Sequence, residues 1–345
     1  MTNRLAILAA LLMAGCSPAY ALNVTVQAGT AISNIQVAIT ATTTAAPPHT
    51  ITVMPGWYPL FDNTKLTSGV IRSISGELNG YGSATDTLCG TNAGGATELY
   101  VPSAGTIQGI GFGRLYGRLI SGGSSIDNMF ERCRFTEIIA PSVYGSVAHS
   151  GGSFIGCEFI KCTGCDVLVN APIVWGCVFI GCEGQSTYSS IIRGDNSTRP
   201  YLIESCTFVA SKSAGNNGLV NSYNSTTMVM RNNSLTYTNV LSVNWGGTVP
   251  FNAGGNVSNG ATFYNPPVGY GTNAVIANAD LRLVPNCAAW ASGVFTNAAW
   301  YSASSNTGYD FRGNWYRGVT NTSSGAIWSQ SDPMSYPQFF GGILP

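Results

Sequence analysis

From about residue 105 to 240 one pattern of apolar and polar positions recurs: an apolar residue, two variable residues, a small residue, one variable residue, then Phe or Leu. It reads Ile107-Gln-Gly-Ile-Gly-Phe112, Phe130-Glu-Arg-Cys-Arg-Phe135, Phe154-Ile-Gly-Cys-Glu-Phe159, Val174-Trp-Gly-Cys-Val-Phe179, Ile203-Glu-Ser-Cys-Thr-Phe208 and Met230-Arg-Asn-Asn-Ser-Leu235. The motif has a fixed length, while successive copies lie about 20 to 30 residues apart. Constrained strands joined by free loops are the mark of a solenoid. The local period is two, with Cys133 and Phe135 on one side and Arg134 on the other, so the units are strands. The apolar residue three positions ahead of the small one requires a bend between them. No long 3.6-residue periodicity competes within these repeats.

This predicts an all-β chain folded as a right-handed parallel β-helix of about ten coils. Turns stacked about 4.8 Å apart align equivalent residues. One inward column holds Phe112, Phe135, Phe159, Phe179, Phe208 and Leu235. A second holds Ile110, Cys133, Cys157, Cys177, Cys206 and Asn233. A third, three residues past the Phe, holds Ile138, Cys162, Cys182 and Ser211. The cysteines there read as small buried hydrophobes. Disulfides between turns are the alternative, with Cys162 and Cys182 the best-placed pair. Cys162-Thr-Gly-Cys165 is a lone CxxC without the further ligands that zinc needs, so no metal site is expected.

The ends read differently. Residues 1–21 form a targeting segment: Arg4, a short apolar run from Leu5 to Met13, and Ala19-Tyr20-Ala21 as a cleavage site. Met13-Ala14-Gly15-Cys16 offers the other exit, with Cys16 lipidated as in an outer-membrane lipoprotein. Both leave the protein secreted or at the cell surface. No later stretch is apolar enough for a transmembrane helix. Residues 22–60 form an N-terminal cap and first coil: a strand from Asn23 to Val26, then a short helix with Ala31, Ile32, Ile35, Ala38 and Ile39 on one face, ended by Pro47-Pro48. Residues 61–279 form the coils, and 280–345 the last coils and a C-terminal cap. There Trp290, Trp300, Trp315 and Trp328 either seal the core or stack on sugars.

Charge narrows the function. Charged residues make up 9% of the chain, with 15 basic and 15 acidic side chains and no net charge. Such a chain has no long-range field with which to collect nucleic acid. His49 and His149 are the only histidines, which argues against a histidine-based triad. The densest charged group is Glu131, Arg132, Arg134, Glu137, Glu158 and Lys161. Stacking places Arg134 beside Glu158 and Glu137 beside Lys161. These are either salt-bridge ladders or a groove in which Arg134 or Lys161 acts as base near Glu131 and Glu158, with Arg132 and Glu137 binding ligand. Trp175, outward beside Ile155, makes an apolar strip that binds a partner or lies under a loop.

Val53-Met-Pro-Gly-Trp-Tyr58 near the start, and Asp280-Leu-Arg-Leu283, Gly293, Asp310-Phe-Arg-Gly-Asn-Trp-Tyr-Arg317 and Gly325-Ala-Ile-Trp328 near the end, resemble secreted right-handed β-helix proteins of the pectate-lyase-like superfamily. Trp328 stands where that pattern carries an acidic residue. The resemblance implies the fold and leaves activity open, because its members include lyases, hydrolases, adhesins and surface proteins. A lyase would need carboxylates holding Ca²⁺ and a nearby base, and a hydrolase clustered carboxylates. The acidic residues are scattered and no such motif occurs. The expectation is a non-catalytic surface protein that binds polysaccharide or a cell-surface glycan, adheres, or plays a structural role, without a cofactor. A polysaccharide lyase or glycoside hydrolase with an unrecognised site, and a self-assembling subunit, are the alternatives.

Overall fold

The computed structural model describes residues 21–26, 34–42, 47–54, 57–58, 69–78, 99–100, 105–113, 117, 120–121, 129–140, 145–149, 152–186, 189–195, 200–214, 218–223, 227–236, 242–243, 251–252, 256–258, 263–277, 279–284, 287, 301–302, 307–309 and 315–317. The targeting segment with Cys16 lies outside these residues, as do Trp290, Trp300, Trp328, Gly293 and Gly325. Trp315 falls in a short strand, but its side chain is also outside them.

The chain is a parallel β-solenoid whose turns have four faces. The first is formed by Met129–Glu131, Ser153–Ile155, Ile173–Trp175, Pro200–Glu204 and Thr227–Arg231. The second is formed by Arg134–Thr136, Glu158–Ile160, Val178–Ile180, Thr207–Val209 and Ser234–Thr236. A short third face holds Thr163–Gly164, Glu183–Gly184 and Lys212–Ser213. The fourth holds Ser146–His149, Asp166–Val169, Ile192–Arg193, Val220–Asn221 and Ser242–Val243. Regular turns number about five, against the about ten expected. Toward the N-terminal end His49–Val53, Gly69–Leu78 and Gly105–Gly113 continue the first face, and Leu99–Tyr100 and Ile120–Ser121 continue the fourth, while the third face is described only between Thr163 and Ser213, so counting strands of the first face overstates the complete turns. Among the described residues the last parallel pairing is at Val257–Ser258. Phe263–Asn265 then pairs antiparallel with Asp280–Leu283.

The inward columns are those the repeat aligns. Phe112 pairs with Phe135, Phe135 with Phe159, Phe159 with Phe179, Phe179 with Phe208, and Phe208 with Leu235. Their rings stack with centroids 4.7 Å apart for Phe135–Phe159 and Phe179–Phe208. Phe130 stacks on Phe154 in a parallel column, and the two columns meet edge to face, Phe135 against Phe154 at 5.9 Å. Such ring pairs add about 1 kcal/mol each beyond the area they bury.

Two bends shape each turn. The first is made by one residue in the left-handed region between the first and second faces: Arg132, Gly156, Gly176, Ser205 and Asn232. The second follows the second face and is made by Glu137, Lys161, Gly181 and Ala210. Each turns the strand by one residue, so the next side chain points inward.

At the N-terminal end the helix α1 (Asn34–Thr42) buries Ile35, Ala38 and Ile39 against the first strands, Asn23–Val26 and His49–Val53. The other two residues of the expected face, Ala31 and Ile32, lie outside the described residues. Among those residues, no helix is long and apolar enough to cross a membrane.

Candidate functional site

The cysteine columns at the bends come first, because their chemistry decides whether they form a site. Cys133, Cys157, Cys177 and Cys206 follow the first bend, and each donates its thiol to a carbonyl of the preceding turn: Ile107, Phe130, Phe154 and Val174, at 3.2 to 3.4 Å. Asn233 continues the column and donates from Nδ2 to the Ile203 carbonyl at 3.0 Å. After the second bend Cys162 and Cys182 donate to Phe135 and Phe159, both at 3.3 Å, and Ser211 donates to Phe179 at 3.2 Å. A small donor inside each bend thus gives a strand carbonyl of the preceding turn a second partner and ties successive turns together. Cys162 and Cys182, the expected disulfide, are two free buried thiols with this donor role. Burial pushes the Cys157, Cys182 and Cys206 thiols up, which disfavours the reactive thiolate. Cys165, the other end of the CxxC, lies beside Asp166, and burial raises its thiol as well.

The charged group singled out in the sequence is divided by the two bends. Glu131 ends a first-face strand, where its carboxylate accepts from Gln108 Nε2 one turn below. Arg132 is the exposed bend residue. Arg134 and Glu158 are ladder neighbours on the second face, and Arg134 Nε pairs with Glu158 Oε2 at 3.0 Å. Glu137 and Lys161 occupy the same position of the second bend in successive turns, both with φ 52°. The six residues therefore fall on two faces and two bends, with no single groove holding all of them.

The exteriors of the two faces differ. Outward residues of the second face are covered: Ile160, Val178, Ile180 and Val209 are buried, as are Thr207 and Ser234. The first face is open. One outward column runs Gln108, Glu131, Ile155, Trp175, Glu204, Arg231, and the column beside it runs Thr106, Met129, Ser153, Ile173, Leu202, Val229. Ile155, Trp175, Leu202 and Val229 are half-buried and Ile173 is exposed. Trp175 sits near the middle of this strip, half of whose side chains are apolar, with Ile155 on one side as the sequence indicated.

On its other side stands Glu204, 2% exposed, gripped by the Arg231 guanidinium through Nε at 2.8 Å and Nη2 at 2.9 Å. This forked pair satisfies a carboxylate that burial would otherwise penalise. Glu204 and Arg231 were not among the expected site residues. Aligning Val174-Trp175-Gly176-Cys177, Ile203-Glu204-Ser205-Cys206 and Met230-Arg231-Asn232-Asn233 would have put them in Trp175's column.

A further polar group lies outside the fourth face. Asp166 is buried and accepts from Ser190 N and Oγ, both at 2.8 Å, while Arg193 Nη1 approaches it at 2.8 Å. Burial raises the Asp166 carboxyl, and Arg193 and Ser190 oppose that shift. Arg193 also reaches Asp195 at 3.6 Å. Among the described residues no group of three or more His, Cys, Asp and Glu is placed to hold a metal ion.

Compared with family models, with curated proteins and with solved structures, the chain matches none.

Proposed function

We propose that this is an exported, non-catalytic β-solenoid protein that binds polysaccharide across the open exterior of its first face, with Trp175 as the central contact. The observation that carries the reading is the contrast between the two faces. The outward side chains of the second face are mostly buried, whereas the first keeps a strip of half-buried and exposed apolar side chains around Trp175. A flat sheet with an aromatic ring at its centre suits the face of a sugar ring, which offers C–H groups to the ring's negative face.

The flanking charges fit the same reading. Arg134 is committed to Glu158, and Arg231 to Glu204, across adjacent turns. Arginines spent in this way stabilise the stack and are poor proton acceptors. Membership of the pectate-lyase-like superfamily is part of the proposal and rests on Val53-Met-Pro-Gly-Trp-Tyr58 and the C-terminal pattern around Asp280-Leu-Arg-Leu283. So is export through the segment 1–21, with or without a lipid on Cys16.

Affinity electrophoresis through gels cast with single polysaccharides tests the site. Retardation on at least one of them, reduced about tenfold in affinity by Trp175→Ala with unfolding unchanged, is the expected result. Equal retardation of the variant would move the site off the first face.

A further inference from the structure

The segment after the solenoid returns along its side as an antiparallel hairpin, with Phe263–Asn265 pairing Asp280–Leu283. Within it Val268 and Val275 exchange both backbone hydrogen bonds, at 3.0 and 2.8 Å, so their side chains stand together on one side. Phe263, Ile276, Ala279 and Leu281 are buried. Tyr264 (56% exposed), Val268 (71%), Tyr270 (50%) and Val275 (59%) are the most exposed large apolar side chains among the described residues.

The hairpin is firmly mounted. Gly271 N donates to the Ala210 carbonyl at 2.7 Å. Thr272 N and Oγ1 both donate to Glu183 Oε2 at 3.4 Å, and Glu183 is in turn paired with Lys212 at 3.0 Å. Gly181 lies so close below that a Cβ there would stand 2.8 Å from the Gly271 oxygen. A backbone fixed in this way next to Tyr270 loses little freedom when a ligand arrives.

The exposed chemistry of the hairpin is of one kind. No charged side chain occurs from Phe263 through Ala279, and the charges that touch the hairpin, Glu183 and Lys212 against Gly271, are paired with each other. The exposed polar groups of the hairpin include the amides of Asn265 and Asn273 and the hydroxyls of the two tyrosines. Nucleic acid, an acidic glycan or an anionic lipid surface would call for Lys or Arg here. Aromatic rings with amides and hydroxyls are matched to the C–H faces and hydroxyls of uncharged sugars. We infer that the hairpin is a second contact site, for an uncharged polysaccharide, separate from the strip around Trp175. The inference rests on the polysaccharide reading above and narrows the ligand class.

The test is affinity electrophoresis of the full chain through gels containing neutral polysaccharides (xylan, mannan, a β-glucan) or uronic-acid polymers (polygalacturonate, alginate). The expected result is retardation by a neutral polymer, weakened about tenfold or more by Tyr264→Ala/Tyr270→Ala and kept by Tyr264→Trp/Tyr270→Trp, with unchanged thermal unfolding. Retardation by uronic-acid polymers alone overturns the inference. So does unaltered retardation of the double Ala variant, or an effect of that variant confined to dimerisation in sedimentation or to flotation with phosphatidylcholine vesicles. If Trp175→Ala abolishes retardation and the tyrosine variant does not, the hairpin falls and the first-face reading stands. If no gel retards the wild-type chain, both fall.

Discussion

Asn233 stands in the same inward column as Cys206, one turn on, and both ends of its amide bind the backbone of the turn before it. Its Oδ1 accepts from Cys206 N at 2.9 Å while its Nδ2 donates to the Ile203 carbonyl at 3.0 Å. Asn256 repeats the arrangement one turn further, with Oδ1 accepting from Asn233 N at 3.0 Å and Nδ2 donating to the Met230 carbonyl at 2.9 Å. Thiol, hydroxyl and amide thus fill one role at the bends, that of a compact donor aimed at a strand carbonyl of the preceding turn. The requirement is a small polar group inside the turn.

It follows that Cys182→Ser is tolerated better than Cys182→Ala. Serine keeps a donor to the Phe159 carbonyl, as Ser211 does for Phe179. Alanine leaves that buried carbonyl without its side-chain partner and opens a small void, at a cost of about 2 kcal/mol. Urea unfolding of both variants checks the order.

Gly181 gives a second prediction. Glu137, Lys161 and Ala210 adopt the same left-handed conformation with φ 52°, so the bend itself does not demand glycine. What demands it is the Gly271 carbonyl pressed against the site. Gly181→Ala is expected to lift the hairpin, making the chain between 263 and 283 sensitive to limited proteolysis. Global stability should fall by only about 1 kcal/mol. Lys161→Ala, in the same column, should leave the hairpin resistant.

The forked pair on the first face predicts an asymmetry. Arg231→Met leaves Glu204 charged, buried and without its guanidinium, and should destabilise by about 3 kcal/mol. Adding Glu204→Gln should restore a large part of that loss. Equal unfolding midpoints for the single and double variants would mean the pair is not coupled.

His49 supplies a pH dependence. It is fully buried, its Nδ1 accepts from Leu22 N at 3.4 Å, and its Nε2 meets no partner. Burial lowers its pKa from 6.5, so the native state holds it neutral. Because the unfolded chain then binds the proton more readily, this contribution to stability is full above about pH 6.5. It is lost as pH falls from there toward the lowered native value. A unfolding midpoint measured against pH should drop through this window, and His49→Gln should flatten the drop.

Much of the solenoid was legible in its residues. The Phe column, the small-residue columns and the Arg134–Glu158 pairing followed from one motif of fixed length, because strands must keep register while loops need not. The left-handed bend residues were harder to see: Arg132, Ser205 and Asn232 carry side chains where Gly156 and Gly176 do not, so no residue type marks the position. The covered exterior of the second face had a signal in Ile160, Val178, Ile180 and Val209, outward apolar residues on successive turns. Trp175's strip was readable from the repeat, while its Glu204 and Arg231 neighbours needed two more turns laid alongside. Asp166 and Arg193 lie on the fourth face, which the six-residue motif does not reach, and only the stacking of that face joins them.

The most direct test of binding without cutting is to incubate the purified chain with the polysaccharides that retard it, with and without Ca²⁺. Retention and polymer chain length are then followed in the same samples. The expected result is retention with chain length unchanged and no release of unsaturated or reducing ends. Shortening of any retained polymer, abolished by Arg134→Ala or Lys161→Ala, would contradict it and place a lyase or hydrolase site on the second face and the bend that follows it.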